Sequence, residues 1–253
     1  DPIFIHLFRN NMGRNELNFH INRKVNKKLN TGLFIHADHR KEKFDGNNDG
    51  FLDSPLVEGY SIFNRWQLTD LEKGIVSFFG IKFMKNDKEG GEKNDANSLL
   101  SKLWLSEIKT ERFDASFKLG YVNPNIPYQS LGFQMAYSDH DQNSFFGIRN
   151  YDITHRSLYS NLIYNSIIGN TMNKIKTGIN LTYDDYDELI DLDKNKTERT
   201  DRSIGGYFEY SFDNTTNFSL TAGLRYDLHN NLGSFFTPRL HMRYQPKEKT
   251  VLR

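Results

Sequence analysis

The stretch FSLTAGLRYD, Phe218 to Asp227, decides the fold class. Its even positions, Phe218, Leu220, Ala222, Leu224 and Tyr226, are apolar or aromatic. Its odd positions, Ser219, Thr221, Gly223, Arg225 and Asp227, are small, polar or charged. Successive side chains of a strand point to opposite faces, so this strict alternation makes a strand with one apolar and one polar face. FDASFKLGY (113–121), SLGFQMAY (130–137) and KIKTGINLTY (174–183) read the same way. No segment carries a convincing period of 3.6, so no long helix is predicted.

Working outward, the alternation predicts strands at 3–9, 15–23, 31–39, 56–68, 75–84, 111–121, 128–138, 154–168, 174–183, 203–212, 218–227 and 236–244, with a further strand opening at Thr250. Most are about twice the usual five or six residues of soluble strands, and they match the roughly 9–11 residues of a tilted membrane-spanning strand. The connections alternate in length. Residues 24–30, 69–74, 122–127, 169–173, 213–217 and 245–249 are short turns, whereas 40–55, 85–110, 139–153, 184–202 and 228–235 are mostly long. Only the hairpin at 10–14 is short where a long loop is expected. Short turns at one end and long loops at the other are the plan of an up-and-down barrel in an outer membrane.

Composition agrees. Of 253 residues only 37% are hydrophobic, yet 14% are aromatic, with 20 Phe and 13 Tyr. Such a balance suits strands that use half of their side chains for apolar contact. There are 33 Lys and Arg against 32 Asp and Glu, so no basic excess points to nucleic acid. With no cysteine there is neither a disulfide frame nor a thiolate metal site. No apolar run reaches the roughly 18 residues of a transmembrane helix, and no basic-then-apolar signal peptide opens the sequence.

The aromatic rings fall where a barrel crosses its two water interfaces. Trp66, Tyr121, Phe212 and Tyr244 lie near the short-turn ends, and Tyr137, Tyr183 and Tyr226 near the long-loop ends. The opposite face carries Asp114, Lys118, Lys174, Lys176, Glu209, Arg225, Asp227, Arg239, His241 and Arg243. That face is solvent-exposed in a sandwich or lines a wet lumen in a wide barrel. Strand length and loop asymmetry favour the barrel.

The segment from Ala222-Gly-Leu-Arg-Tyr-Asp through Thr237-Pro-Arg and Tyr244-Gln-Pro246 resembles the TonB-dependent outer-membrane receptors, in which a GLRYD-like strand leads through a loop to a TPR strand and then Y-x-P. Phe146-Gly-Ile-Arg-Asn-Tyr-Asp152, Ser157 to Tyr164, Asp45 to Pro55 and Phe63-Asn-Arg-Trp66 look like other parts of the same barrel, so the likeness covers most of the chain. The resemblance implies an all-β, antiparallel up-and-down transmembrane barrel of about 22 strands, of which about 12 are present. On this reading the chain, 1–253, is a barrel segment without the family's plug domain and without the C-terminal barrel strands. No nucleophile elbow, phosphate loop or HExxH occurs, so no catalytic residue is expected. The resemblance further implies TonB-coupled uptake of a scarce nutrient: a siderophore, a cobalamin-like cofactor, a metal complex or a glycan. The implied partners are outer-membrane lipid, the TonB energy-transducing complex acting through the plug, and a small-molecule or metal-chelate ligand, in a Gram-negative outer membrane. The alternatives left open are a complete 12-stranded barrel acting as porin or hydrolase, with 250–253 as a tail, and a soluble all-β binding module.

Two loops carry candidate ligating groups. In FDGNNDGFLDSP (44–55), Asp45, Asn47 and Asp49 stand at alternate positions before Gly50, and Asp53 follows at the ninth place. That is how a calcium loop begins. Position twelve is Leu56 rather than the bidentate Glu of an EF-hand, so the candidate is a structural calcium site. The bland reading is an Asx- and Gly-rich turn. The second acidic stretch runs from Asp184 through Asp185, Asp187 and Asp191 to Asp193; with Asp141 it supplies external candidates for touching substrate, against the bland reading of a solvated loop. His36 and His39, three apart in a strand, face opposite ways and make poor metal geometry. His140-Asp141 is a candidate dyad for the hydrolase alternative, although adjacency in sequence shows no catalytic hydrogen bond.

Overall fold

The computed structural model describes residues 2–93, 103–190, 195–247 and 249–252. Thirteen strands follow one another: β1 (Ile3–Arg9), β2 (Arg14–Lys24), β3 (Leu29–Arg40), β4 (Leu56–Asp70), β5 (Ile75–Gly91), β6 (Leu105–Val122), β7 (Ser130–Phe146), β8 (Arg149–Ile168), β9 (Asn170–Ile190), β10 (Asn195–Asp213), β11 (Phe218–His229), β12 (Gly233–Lys247) and β13 (Thr250–Leu252). They form one antiparallel sheet in sequence order, with β1 and β13 at its edges.

Register keeps each alternating stripe on one face, because directly paired residues share a side of the sheet. Ile62, Phe83 and Phe113 stand opposite one another across β4, β5 and β6, as do Phe208, Leu224 and Pro238 across β10, β11 and β12. The other face pairs Lys82 with Asp114, Lys176 with Glu209, and Gln134 with Asn161 and Asn180. The ten charged residues read as lumen-facing all share this second, inner face.

Packing is inverted relative to a soluble protein. Among the described residues no apolar side chain is buried, and the buried side chains are Asp70, Ser144, Asn161, Ser166 and Asn180. Among the described residues no second layer covers the apolar side, the arrangement of a barrel wall whose outer face meets lipid. This contradicts the soluble sandwich alternative, which needs two facing sheets. Nor do the described residues close into 12 strands: β12 takes β13 as its second partner through Tyr244–Leu252 and Lys247–Thr250, and among the described residues β1 pairs only with β2.

The long loops are corrected most. At the short-turn end the predicted strand limits hold to within a few residues. At the other end, here called the upper end, β7 runs to Phe146 and β8 starts at Arg149, so the loop expected at 139–153 is a two-residue turn, Gly147-Ile148. Likewise β5 and β6 extend into 85–110, and β9 and β10 into 184–202. Above the girdle both faces meet water, so apolar alternation vanishes while backbone pairing continues. Gly147 has φ 64°, the left-handed conformation that a tight hairpin requires.

The segment between β3 and β4 remains a loop, yet it is tied down. Leu52 N–H donates to Gly91 C=O (2.9 Å) and Lys93 N–H to Gly50 C=O (2.7 Å), while Phe51 bridges to Glu92. At the lower end, Lys28 Nζ reaches Asp70 Oδ2 at 2.7 Å and stitches the β2–β3 turn to the end of β4. This pair outside the spanning region holds the Asp70 carboxyl below its usual range and raises Lys28.

Candidate functional site

The extended upper strands carry a polar inner wall above Tyr137 and Tyr183. The two-residue β7–β8 turn fixes a register in which His140 stands directly opposite His155. Neighbouring registers continue the row, giving Arg112, His140, His155, Tyr186 and Arg199 across β6 to β10. One step toward the membrane lies a second row: Asp114, Ser138, Ser157, Asp184 and Asp201.

Two ion pairs and a hydrogen bond cross-link the rows. Arg112 Nη2 lies 2.9 Å from Asp114 Oδ1, His155 Nε2 lies 3.0 Å from Asp184 Oδ1, and Arg199 Nε lies 2.9 Å from Asp201 Oδ2. The His155 ring stacks on Tyr186 at 4.2 Å between centroids and 4° between planes, and the Arg199 guanidinium sits 4.6 Å over the same Tyr186 ring. His140 Nδ1 is shielded from solvent and has no hydrogen-bond partner. Asp114 orients the Arg112 guanidinium, and Asp201 with the Tyr186 ring orients that of Arg199. Such an array accepts anionic oxygens on its open side.

Deeper on the inner face, Arg225 donates to both oxygens of Asp227 (each 2.6 Å) and to Asn180 Oδ1 (2.8 Å). Gly178 makes room for Tyr207, whose hydroxyl oxygen would lie 2.5 Å from a Cβ there. Arg225 and Tyr207, together with Asn161, Lys176, Glu209 and Arg239, line a cavity of about 390 Å³.

Of the acidic candidates, only Asp184 joins the inner rows. Asp141, Asp185 and Asp187 occupy odd positions, which face outward on β7 and β9. There Asp141 accepts from Thr154 Oγ1 (2.9 Å), Asp185 from Thr200 Oγ1 (2.8 Å), and Asp187 pairs with Lys196 (3.0 Å). Asp191 and Asp193 lie outside the described residues. His140 and Asp141 point to opposite faces, which removes the dyad of the hydrolase alternative; the histidine of these rows that meets a carboxylate is His155, 3.0 Å from Asp184. In the 44–55 loop, Asp45 accepts the Asp49 and Gly50 N–H groups (both 3.2 Å), Asp49 accepts the Phe51 N–H (2.9 Å) and Asp53 the Gly46 N–H (2.9 Å). The Phe51 N–H, then Asn47, hold the Asp49 carboxyl below its ordinary value. Among the described residues no three His, Asp or Glu side chains converge as a metal-holding group. Arg112, His155, Tyr186 and Arg199 were not singled out from sequence, since the signal that unites them is a pairing register.

Three comparisons place this architecture. The family model described as TonB dependent receptor-like, beta-barrel matches residues 37–253. A search of curated proteins found no match. Among solved structures, FpvA of Pseudomonas aeruginosa bound to pyoverdines superposes with a TM-score of 0.74 at 10% identity, over 97% of this chain and 40% of that one. The alcaligin outer-membrane receptor FauA of Bordetella pertussis gives 0.68 at 11% identity, over 93% and 39%. The ferric enterobactin receptor PfeA of P. aeruginosa, as a mutant in complex with enterobactin, gives 0.67 at 13%, over 98% and 42%. This chain therefore spans about two fifths of the length of the receptors it matches. The match over 37–253, on a sheet with one lipid-facing and one charged side, shows that the chain belongs to the TonB-dependent receptor β-barrel family.

Proposed function

We propose that this chain forms part of the barrel wall of an outer-membrane receptor that imports a scarce iron chelate with energy from TonB, in a Gram-negative bacterium. The observation that carries the reading is family membership over 37–253. The inner rows supply the chemistry: Arg112 and Arg199 offer fixed guanidinium donors, with the stacked rings of His155 and Tyr186 standing between them in the row. An anionic ferric siderophore fits that combination, in keeping with the ligands named for FpvA and PfeA. The role is transport, with no bond made or broken by the chain.

The test is uptake of radiolabelled ferric chelates by cells that depend on the full-length protein. Import should stop when TonB is deleted while surface binding persists. Arg199→Gln should weaken binding roughly tenfold or more, the scale of one charge-assisted hydrogen bond. Uptake that continues unchanged without TonB refutes the proposal.

For the 44–55 loop, we propose that Asp45, Asn47, Asp49 and Asp53 hold a calcium ion that stiffens a turn already closed by its own hydrogen bonds. Calorimetric titration should show millimolar binding that is lost in Asp49→Asn. Absence of heat at millimolar calcium refutes it.

A further inference from the structure

The outward face carries a cation that the transport reading does not use. Arg202 stands on β10 directly opposite Tyr183 of the upper girdle, and its guanidinium carbon lies 5.3 Å over that ring. Its backbone is clamped from the β11–β12 turn. Its N–H donates to Asn230 Oδ1 (2.7 Å), and its C=O accepts the Asn230 N–H (3.1 Å). Asn231 Nδ2 adds contacts to Thr200 C=O (3.1 Å) and Asp201 Oδ1 (2.7 Å).

The surrounding carboxylates are engaged elsewhere. Asp201 points inward to Arg199, and Asp185, on the same outer face, accepts from Thr200. No ion pair to Arg202 is present among the described residues. Below it the same face is apolar: Ile204, Leu181, Leu228 and Leu224 are each about half exposed. A guanidinium without a carboxylate is costly in hydrocarbon but favourable at headgroup depth, where phosphates supply the counter-charge.

We propose that Arg202, shelved on Tyr183, binds the phosphate of a lipid headgroup in the leaflet at the upper girdle, with the acyl chains on the apolar column beneath. The planar guanidinium presents two parallel N–H groups to phosphate oxygens, and the tyrosine ring stabilises the cation from behind. This inference rests on the membrane-spanning reading. Cell fractionation reports that reading independently, so the two can fail separately.

The experiment takes the full-length protein extracted from membranes in mild detergent, delipidated and reloaded with bisphosphorylated or fully dephosphorylated lipid A, with bound lipid counted by native mass spectrometry. The wild type should retain the phosphorylated lipid preferentially, and Arg202→Gln should lower that retention about fivefold, the scale of one arginine at a charged membrane surface. Tyr183→Ala should lower it in the same direction. Gel mobility with and without heating confirms that each variant is folded. Equal retention of phosphorylated lipid by Arg202→Gln overturns the proposal, as does equal retention of the dephosphorylated lipid by the wild type. Displacement of the lipid by millimolar inorganic phosphate also overturns it, since the site would then be one for free phosphate.

Discussion

The assignment of faces can be tested by moving one charge. Ile179 on β9 faces outward, is 51% exposed and pairs with Leu162. It lies four residues below Tyr183 of the upper girdle. At a rise of about 3.3 Å per residue and a tilt near 40°, that is about 10 Å along the membrane normal. The apolar band of such a barrel is about 25 Å tall, so Ile179 sits within a few ångströms of the midplane. Ile179→Arg should therefore destabilise the folded protein by about 2–4 kcal/mol, the scale for arginine on the lipid face at this depth. The matched control is Ser116→Arg. Ser116 is exposed on the inner face, opposite Gly80 and Ala136. Its change should stay within about 1 kcal/mol, because the charge remains in the lumen. Reversible urea unfolding of the full-length protein in lipid vesicles, followed by tryptophan fluorescence, measures both. If Ser116→Arg is the costlier change, the faces are reversed. If both are neutral, the outer face does not meet hydrocarbon.

Two further outcomes follow from geometry outside the membrane band. Gly147→Ala places a Cβ 2.8 Å from the Trp104 ring and forces a left-handed backbone on alanine, which costs about 1–2 kcal/mol locally. Limited proteolysis should cut the β7–β8 tip faster in that variant and not in Gly206→Ala, where a Cβ meets nothing within 4 Å; equal cleavage of both refutes the strain. The Lys28 ammonium lowers the Asp70 carboxyl, so this pair stabilises above an ordinary carboxylate value near 4, and its contribution fades as pH falls from there through the depressed folded value. Asp70→Asn should be less stable than the wild type at neutral pH and should converge with it in acid. A gap between them that is the same at pH 6 and pH 3 would contradict the assignment.

The sequence by itself determined the existence, order and facing of the strands within the membrane band. There hydrocarbon lies on one side and water on the other, so the solvent writes a period of two into the residues, as from Phe218 to Asp227. Turn chemistry at the lower end was equally local, and Asp213 to Asn217 closes as expected. Above Tyr137 and Tyr183 water lies on both sides, selection for alternation ends, and residues 139–146 and 184–190 look like loop although they are paired strand. Only the tertiary structure decided what those residues do. The β7–β8 register set by the turn at Gly147-Ile148 leaves Asp141 outside, and the β8–β9 register sends Asp184 inward to His155 and leaves Asp185 and Asp187 outside. A shift of one residue would exchange the two sets. Arg112, His155, Tyr186 and Arg199 come from four strands spread over nearly ninety residues, and no local pattern marks them as neighbours. Their proximity exists because backbone hydrogen bonds hold five strands in one register, a property of the sheet and not of any segment within it.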